Sequence, residues 1–316
     1  MPSLPGHRCA QNGADQLLLL LCPQAKRAAM ETRDAIEAEP APAAAPANAP
    51  AKKKGGGIGE TTRFLIILFV IAVIVRSFVI APFSIPSGSM LPRMMIGDYL
   101  FVAKWPYGFS RYSFPFGLAS YEGRLAEGEA ERGDVVVFRY PGGGGDDFVK
   151  RVIGLPGDQV QVRGGVVFLN GEAVPKVRIA DYLMPISANS PCRTIDPAAA
   201  RIVAGPGGER SCAYPRFRET LPGGRSYEVL DQIEGVADDT QVYVVPEDHY
   251  FVMGDNRDDS EDSRVPRDVG GVGFLPEDYL IGRALVTFFS TDGSASLALP
   301  WTWVSAARWE RVGGTY

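Results

Sequence analysis

The stretch PFSIPSGSMLP, Pro82 to Pro92, presents two serines, Ser87 and Ser89, on either side of Gly88. Pro86 and Pro92 fix the backbone around them, Gly88 tolerates a sharp turn or a close neighbour, and the small hydroxyls stay accessible. A bland turn has the same composition, so any chemistry depends on a second group: a serine nucleophile needs a base. His249, in VPEDHYF, is the sole histidine after Pro82 and allows a Ser-His-Asp arrangement. Lys150, in DDFVKRVIGLPGD, allows a Ser-Lys one. If Phe148 to Ile153 is a strand, Lys150 shares a face with Phe148 and Val152, whereas Arg151 points the other way between Val149 and Ile153. In water only about one lysine in a few thousand is neutral at pH 7. Burial lowers a lysine pKa by as much as about 3–5 units, enough to make a general base. A lysine that carries its charge out to the surface is the commoner fate of such a side chain.

A third polar stretch, GDNRDDSEDSR, runs from Gly254 to Arg264. As a calcium loop it fails, because Arg257 takes the third ligand position and the central glycine is missing. It reads either as a solvated acidic loop or as a support. In the second case the Ser260 hydroxyl orients a neutral lysine, while Asp262 and Arg264 form a charge-paired brace. The glycine run at 142–145 lacks the Lys-Ser/Thr of a phosphate loop and reads as a turn.

The elements that must position these residues are mainly β. GDVVVFRYP, QVQVRGGVVFLNGEAV and IGRALVTFF read as strands, and Gly164-Gly165 and Asn170-Gly171 are hairpin signals. No strand-helix alternation recurs, so the expectation is an antiparallel β domain over 83–316, with a smaller β or irregular subdomain inserted at about 160–245. Cys192 and Cys212 fall in that insertion, where a disulfide or two unpaired thiols are both open.

Ahead of the β region, Phe64 to Ile80 is apolar apart from Arg76 and Ser77. Extended to Phe83, the run has the length of a membrane span, and a single transmembrane helix is expected over 61–82. A buried core helix ending at Val75 is the alternative; Arg76 lies near the far end, where its stem can carry the charge to the interface. Lys52, Lys53, Lys54 and Arg63 precede the apolar run, which puts the N-terminus in the cytoplasm and everything beyond Pro82 outside. Residues 1–60, with AEPAPAAAPANAPAKKKGGG, read as a disordered tail, and Met30 is an alternative start to Met1.

Composition excludes other classes. A net charge of -5 and a pI near 5.3 give no footprint for nucleic acid. Two histidines and four cysteines without Cys-His clustering give no metal site, and no cofactor is expected.

Four blocks in order, IPSGSMLP, GDYLFVAK, RGDVVVFRYP…DFVKRVIGLPGD and GDNRDDSEDSR, resemble the type I bacterial signal peptidases, membrane-anchored proteases with a Ser/Lys dyad. The likeness covers roughly residues 64–160 and 244–290. It implies Ser89 as nucleophile, Lys150 as general base, Ser87 with the Ser89 N–H as oxyanion donors, Ser260 as the lysine-orienting hydroxyl, and Asp262 and Arg264 as its supports. It also implies removal of signal peptides from exported preproteins after small residues in an Ala-X-Ala-like pattern. Shallow pockets are then expected from Phe83, Ile85, Pro86, Met90, Met94, Phe148 and Val149. By the same resemblance the enzyme works at the bacterial inner membrane, with the bilayer and the secretion machinery as partners and the catalytic domain periplasmic. Arg93 departs from the threonine common after SMLP, and the 160–245 insertion aligns with nothing. A related self-cleaving repressor family carries a DNA-binding helix-turn-helix, for which this N-terminus has neither helices nor charge. A silent membrane-anchored binding protein is the other alternative.

Overall fold

The computed structural model describes residues 58–114, 121–126, 128–194, 201–205, 208–296 and 298–316, so residues 1–57 of the expected disordered tail and the Met30 start lie outside the described residues, whereas Ile58, Gly59 and Glu60, expected in that tail, form the first turn of a helix. Helix α1 (Ile58–Phe78) is apolar from Phe64 to Val75, between polar ends that hold Glu60 and Arg63 on one side and Arg76 and Ser77 on the other, with a mean hydropathy of 2.2 over its most apolar window. Its 21 residues rise about 31 Å at about 1.5 Å each, matching a bilayer core of about 30 Å. Large apolar side chains such as Phe64, Phe69 and Ile71 are more than half exposed, so the helix is not the core helix of the alternative reading. It also ends earlier than the run to Phe83 implied. Pro82 has no N–H for an α-helical ladder, and the stretch after Val79 is taken up in strand pairing instead.

That pairing begins a seven-stranded sheet formed by β1 (Ile80–Ser84), β2 (Asp98–Ala103), β3 (Val135–Arg139), β4 (Asp147–Gly154), β5 (His249–Met253), β6 (Leu275–Pro276) and β7 (Leu280–Ser290). The spatial order is β1-β2-β7-β3-β4-β5-β6, and every neighbouring pair is antiparallel. Alternate residues of β3 serve two different cores, because side chains along a strand point to opposite faces. Val135 and Val137 pack with Ile85, Met90, Met94, Leu100 and Ile281, while Val136 and Phe138 pack with Val152, Tyr250 and Leu280. The sheet curls around the first of these cores, bringing its free edge at β1 towards the opening half of β4.

The segment 159–244 forms two further four-stranded sheets. Both predicted hairpins are present, and Gly164, Gly165, Asn170 and Gly171 all adopt positive φ. This is the left-handed pair that a tight turn between twisted strands requires. Cys192 and Cys212 are joined in a disulfide, with Cα atoms 5.3 Å apart.

Candidate active site

Ser89 sits in the turn between β1 and β2, held from both sides. Met90 is buried in the core under the sheet and Leu91 in a second cluster with Tyr214 and Leu230, so the residues after the serine anchor its turn in two directions. The Ser89 carbonyl accepts from the Asn256 N–H at 2.9 Å, and the Gly88 carbonyl from Asn256 Nδ2 at 3.1 Å. Gly254 permits this approach: a Cβ there would lie 2.6 Å from the Ser89 carbonyl oxygen and 2.2 Å from Ser260 Oγ. Ser89 is only 7% exposed, and its N–H has no hydrogen-bond partner among the described residues. Ser87 is exposed, with its Oγ 3.4 Å from Ser89 Oγ.

Lys150 arrives from β4, in register with Val136, and its Nζ lies 2.6 Å from Ser89 Oγ. It is 4% exposed, and among the described residues no carboxylate is bonded to it. Burial lowers its pKa to about 8, against the opposing pull of Asp262, Glu261, Asp255 and Asp259. Neutral lysine is then about one in ten at pH 7, against one in thousands in water.

The polar stretch after β5 packs beside this pair. Asp262 is fully buried; it accepts from the Gly254 N–H at 2.9 Å and from Arg264 Nε and Nη2, both at 2.9 Å. Burial pushes its carboxyl up, but Arg264 overrides this and holds it below the usual range. The predicted brace is therefore present as geometry. Ser260 differs from expectation. Its Oγ is buried and makes no hydrogen bond among the described residues, so it does not orient Lys150 in this structure.

A cleft of about 750 Å³ opens over Ser89 and Lys150, walled by Phe83, Ile85, Pro86, Met90, Phe148 and Val149. Met94 corrects the expected pocket: fully buried in the core behind Met90, it does not reach the wall. It lies one helical turn on from Met90, whose carbonyl accepts its N–H at 2.9 Å, and that turn carries it inward. Among the described residues the outer edge of β1 is unpaired, and β5 pairs with β4 only from Arg151 onwards. Two free strand edges thus face the cleft, a setting for an extended peptide. His249 hydrogen-bonds to the Glu247 carbonyl at 2.7 Å and does not line the cleft.

Several supports were not singled out from the sequence. Arg151 makes a double contact with Asp255 at 2.8 and 2.6 Å on the far side of β4. Arg257 and Glu219 form a buried ion pair, joined by Tyr227, which ties the polar loop to the insertion. Arg193, next to the disulfide, reaches the cleft wall 3.9 Å from Asp259. Asp255 and Arg257 lie in a motif already noticed for its charge, but Glu219 had no local signal at all.

Known proteins resemble this chain over most of its length. A family model described as signal peptidase, peptidase S26, matches residues 58–289. Signal peptidase I of Rickettsia typhi is 36% identical over 230 residues, 70% of this chain and 76% of that protein. Signal peptidase I of Rickettsia massiliae is 33% identical over 265 residues, 78% of this chain and 89% of that protein. A crystal structure of a signal peptidase I from Enterococcus faecalis is 25% identical and covers 49% of this chain and 96% of that one, with a TM-score of 0.25, too low to carry an argument. The curated relatives and the family match, which spans most of the chain, agree on the same conclusion: this chain belongs to the signal peptidase family, peptidase S26.

Proposed function

We propose that Ser89 and Lys150 carry out signal-peptide removal as a nucleophile and its general base. The observation that carries this reading is the 2.6 Å approach of a buried, carboxylate-free lysine to Ser89 Oγ. Neutral Lys150 takes the hydroxyl proton as Ser89 Oγ attacks the scissile carbonyl carbon. The free Ser89 N–H and the Ser87 hydroxyl donate to the oxygen that becomes negative. The lysine then gives its proton to the departing amine; a water deprotonated by Lys150 attacks the ester carbonyl, the bond to Ser89 Oγ breaks, and Lys150 returns the proton to that oxygen. Asp262 and Arg264 hold the loop behind Lys150, and Ser260 closes the cleft beside it.

The substrate is the signal-peptide region of an exported preprotein, laid as an extended strand between the free edges of β1 and β4. Phe83, Ile85, Pro86, Met90, Phe148 and Val149 leave room for small side chains next to the cut. Helix α1 is the membrane anchor. Lys52, Lys53, Lys54 and Arg63 favour an N-terminus in the cytoplasm, with the catalytic domain on the outer side of a bacterial inner membrane, where the secretion machinery delivers substrate. Incubating a preprotein with the wild-type chain and with Ser89→Ala tests the reading. The wild type releases a mature product whose new N-terminus follows a small residue; equal cleavage by Ser89→Ala would overturn it.

A further inference from the structure

Behind β4, on the face that Arg151 rather than Lys150 occupies, lies a second concavity of about 850 Å³. Seven arginines and no lysine line it, in a protein whose net charge is -5. Two of the seven are neutralised from below, Arg151 by Asp255 and Arg311 by Asp98. Three acidic residues line the concavity: Glu228 lies 3.0 Å from Arg216, Asp134 lies 2.8 Å from Arg225, which also reaches Glu131 outside the groove, and Glu310 makes no ion pair among the described residues.

Three guanidiniums are left with donors to spare. Arg218 and Arg283 donate no hydrogen bond among the described residues, and their nearest carboxylates, Glu228 at 3.7 Å and Asp134 at 3.9 Å, are already bonded to another arginine. Arg93 donates to the Thr315 carbonyl and leans over the Tyr316 ring, with no carboxylate partner among the described residues. Planar guanidinium forks carried by two strands, Arg218 and Arg283, and by a turn, Arg93, suit a tetrahedral acceptor whose several oxygens and higher charge can be shared among them. A carboxylate, with two oxygens in one plane, already fails to satisfy these pairs of arginines. We propose that this groove is a binding site for a phosphate-bearing ligand, with Arg93, Arg218 and Arg283 as its recognition residues.

Two sources supply that chemistry. Arg283 is in register with Ala103, and Ala103 with Ile80, two residues beyond the end of α1. At about 4.8 Å per strand, Arg283 stands about 10 Å across the sheet from the point where the chain leaves the helix. A lipid headgroup phosphate is therefore one source, and a soluble phosphate compound is the other.

The test uses the full chain in neutral detergent at about 150 mM salt, where loose surface attraction is screened. Inorganic tripolyphosphate is titrated calorimetrically in one arm; in the other, short-chain phosphatidylglycerol is added to the micelles, with phosphatidylcholine as the uncharged comparison. Saturable binding of either phosphate probe at one site per chain is expected. It should weaken about tenfold or more in Arg218→Gln/Arg283→Gln, the loss of about 1.4 kcal/mol or more. Arg178→Gln/Arg201→Gln removes the same charge outside the groove and should change binding less than twofold. A matching melting temperature for the two double variants guards against misfolding. The proposal is overturned if neither probe binds, if the outside variant weakens binding equally, or if citrate binds as well as tripolyphosphate.

Discussion

Lys150 and Arg151 are neighbours on one strand, both buried cations, and they have met opposite fates. Lys150 points into the cleft with no bonded carboxylate, and burial brings its pKa down to about 8. Arg151 points into the opposite face, where the bidentate Asp255 outweighs burial and raises its pKa. A buried charge that is fully paired is a brace, whereas one that is left unpaired loses its proton readily and becomes a reagent. The two-residue period of the strand lets both occur within one dipeptide, because consecutive side chains enter different environments.

The strongest way to break this contrast is to remove the reagent. Lys150→Ala should lower kcat/KM for a preprotein by about 10³-fold or more, the size expected for loss of a general base. His249→Ala should leave most of the activity; the reverse pattern, read by the same gel-based cleavage assay, would replace the Ser-Lys assignment with a histidine base.

Removing the brace should act on stability. Arg151→Leu leaves the Asp255 carboxylate buried and unpaired, and should destabilise the fold by about 3–5 kcal/mol in a denaturant titration. Arg151→Leu/Asp255→Leu should recover most of that loss. If the double variant is no better than the single, the pair is not what matters at this position.

The smallest effect sharpens the contrast through pH. Only neutral Lys150 accepts a proton, so the cleavage rate should rise about tenfold per unit below its pKa of about 8 and level off above it. The same lowering from 10.5 means that the unfolded chain binds the lysine proton more tightly than the folded one. Stability therefore rises with pH between about 8 and 10.5, and below about 8 the lysine costs the fold about 3 kcal/mol. Lys150→Met should be the more stable protein at pH 7 and lose that advantage by pH 10.5, as measured by denaturant midpoints at the two pH values.

Much of this was legible in the chain itself because it depends on local chemistry. The Gly164-Gly165 and Asn170-Gly171 turns follow from φ preferences within two residues, and the facing of Lys150 from alternation within β4. Pairings between distant segments were not legible. Nothing near Glu219 indicates that it will meet Arg257, and Met94 looks as suited to a cleft wall as Met90 until the turn between them is folded. Helix α1 stops at Phe78 for the same reason: the residues from Ile80 onwards find partners in β2, which the local apolar pattern cannot report.

The ties of the polar loop carry a consequence for the order of assembly. Leu230 exchanges backbone hydrogen bonds of 2.8 Å with Asp255 and Arg257, on either side of the Asn256 that fixes Ser89. Ser89 lies early in the chain, yet its seat is completed by segments synthesised some 140 to 170 residues later. A newly made chain must therefore carry an unfinished centre until the insertion and β5 have closed on each other. The contacts that seat Ser89 can close only once β5 and the loop after it have been made.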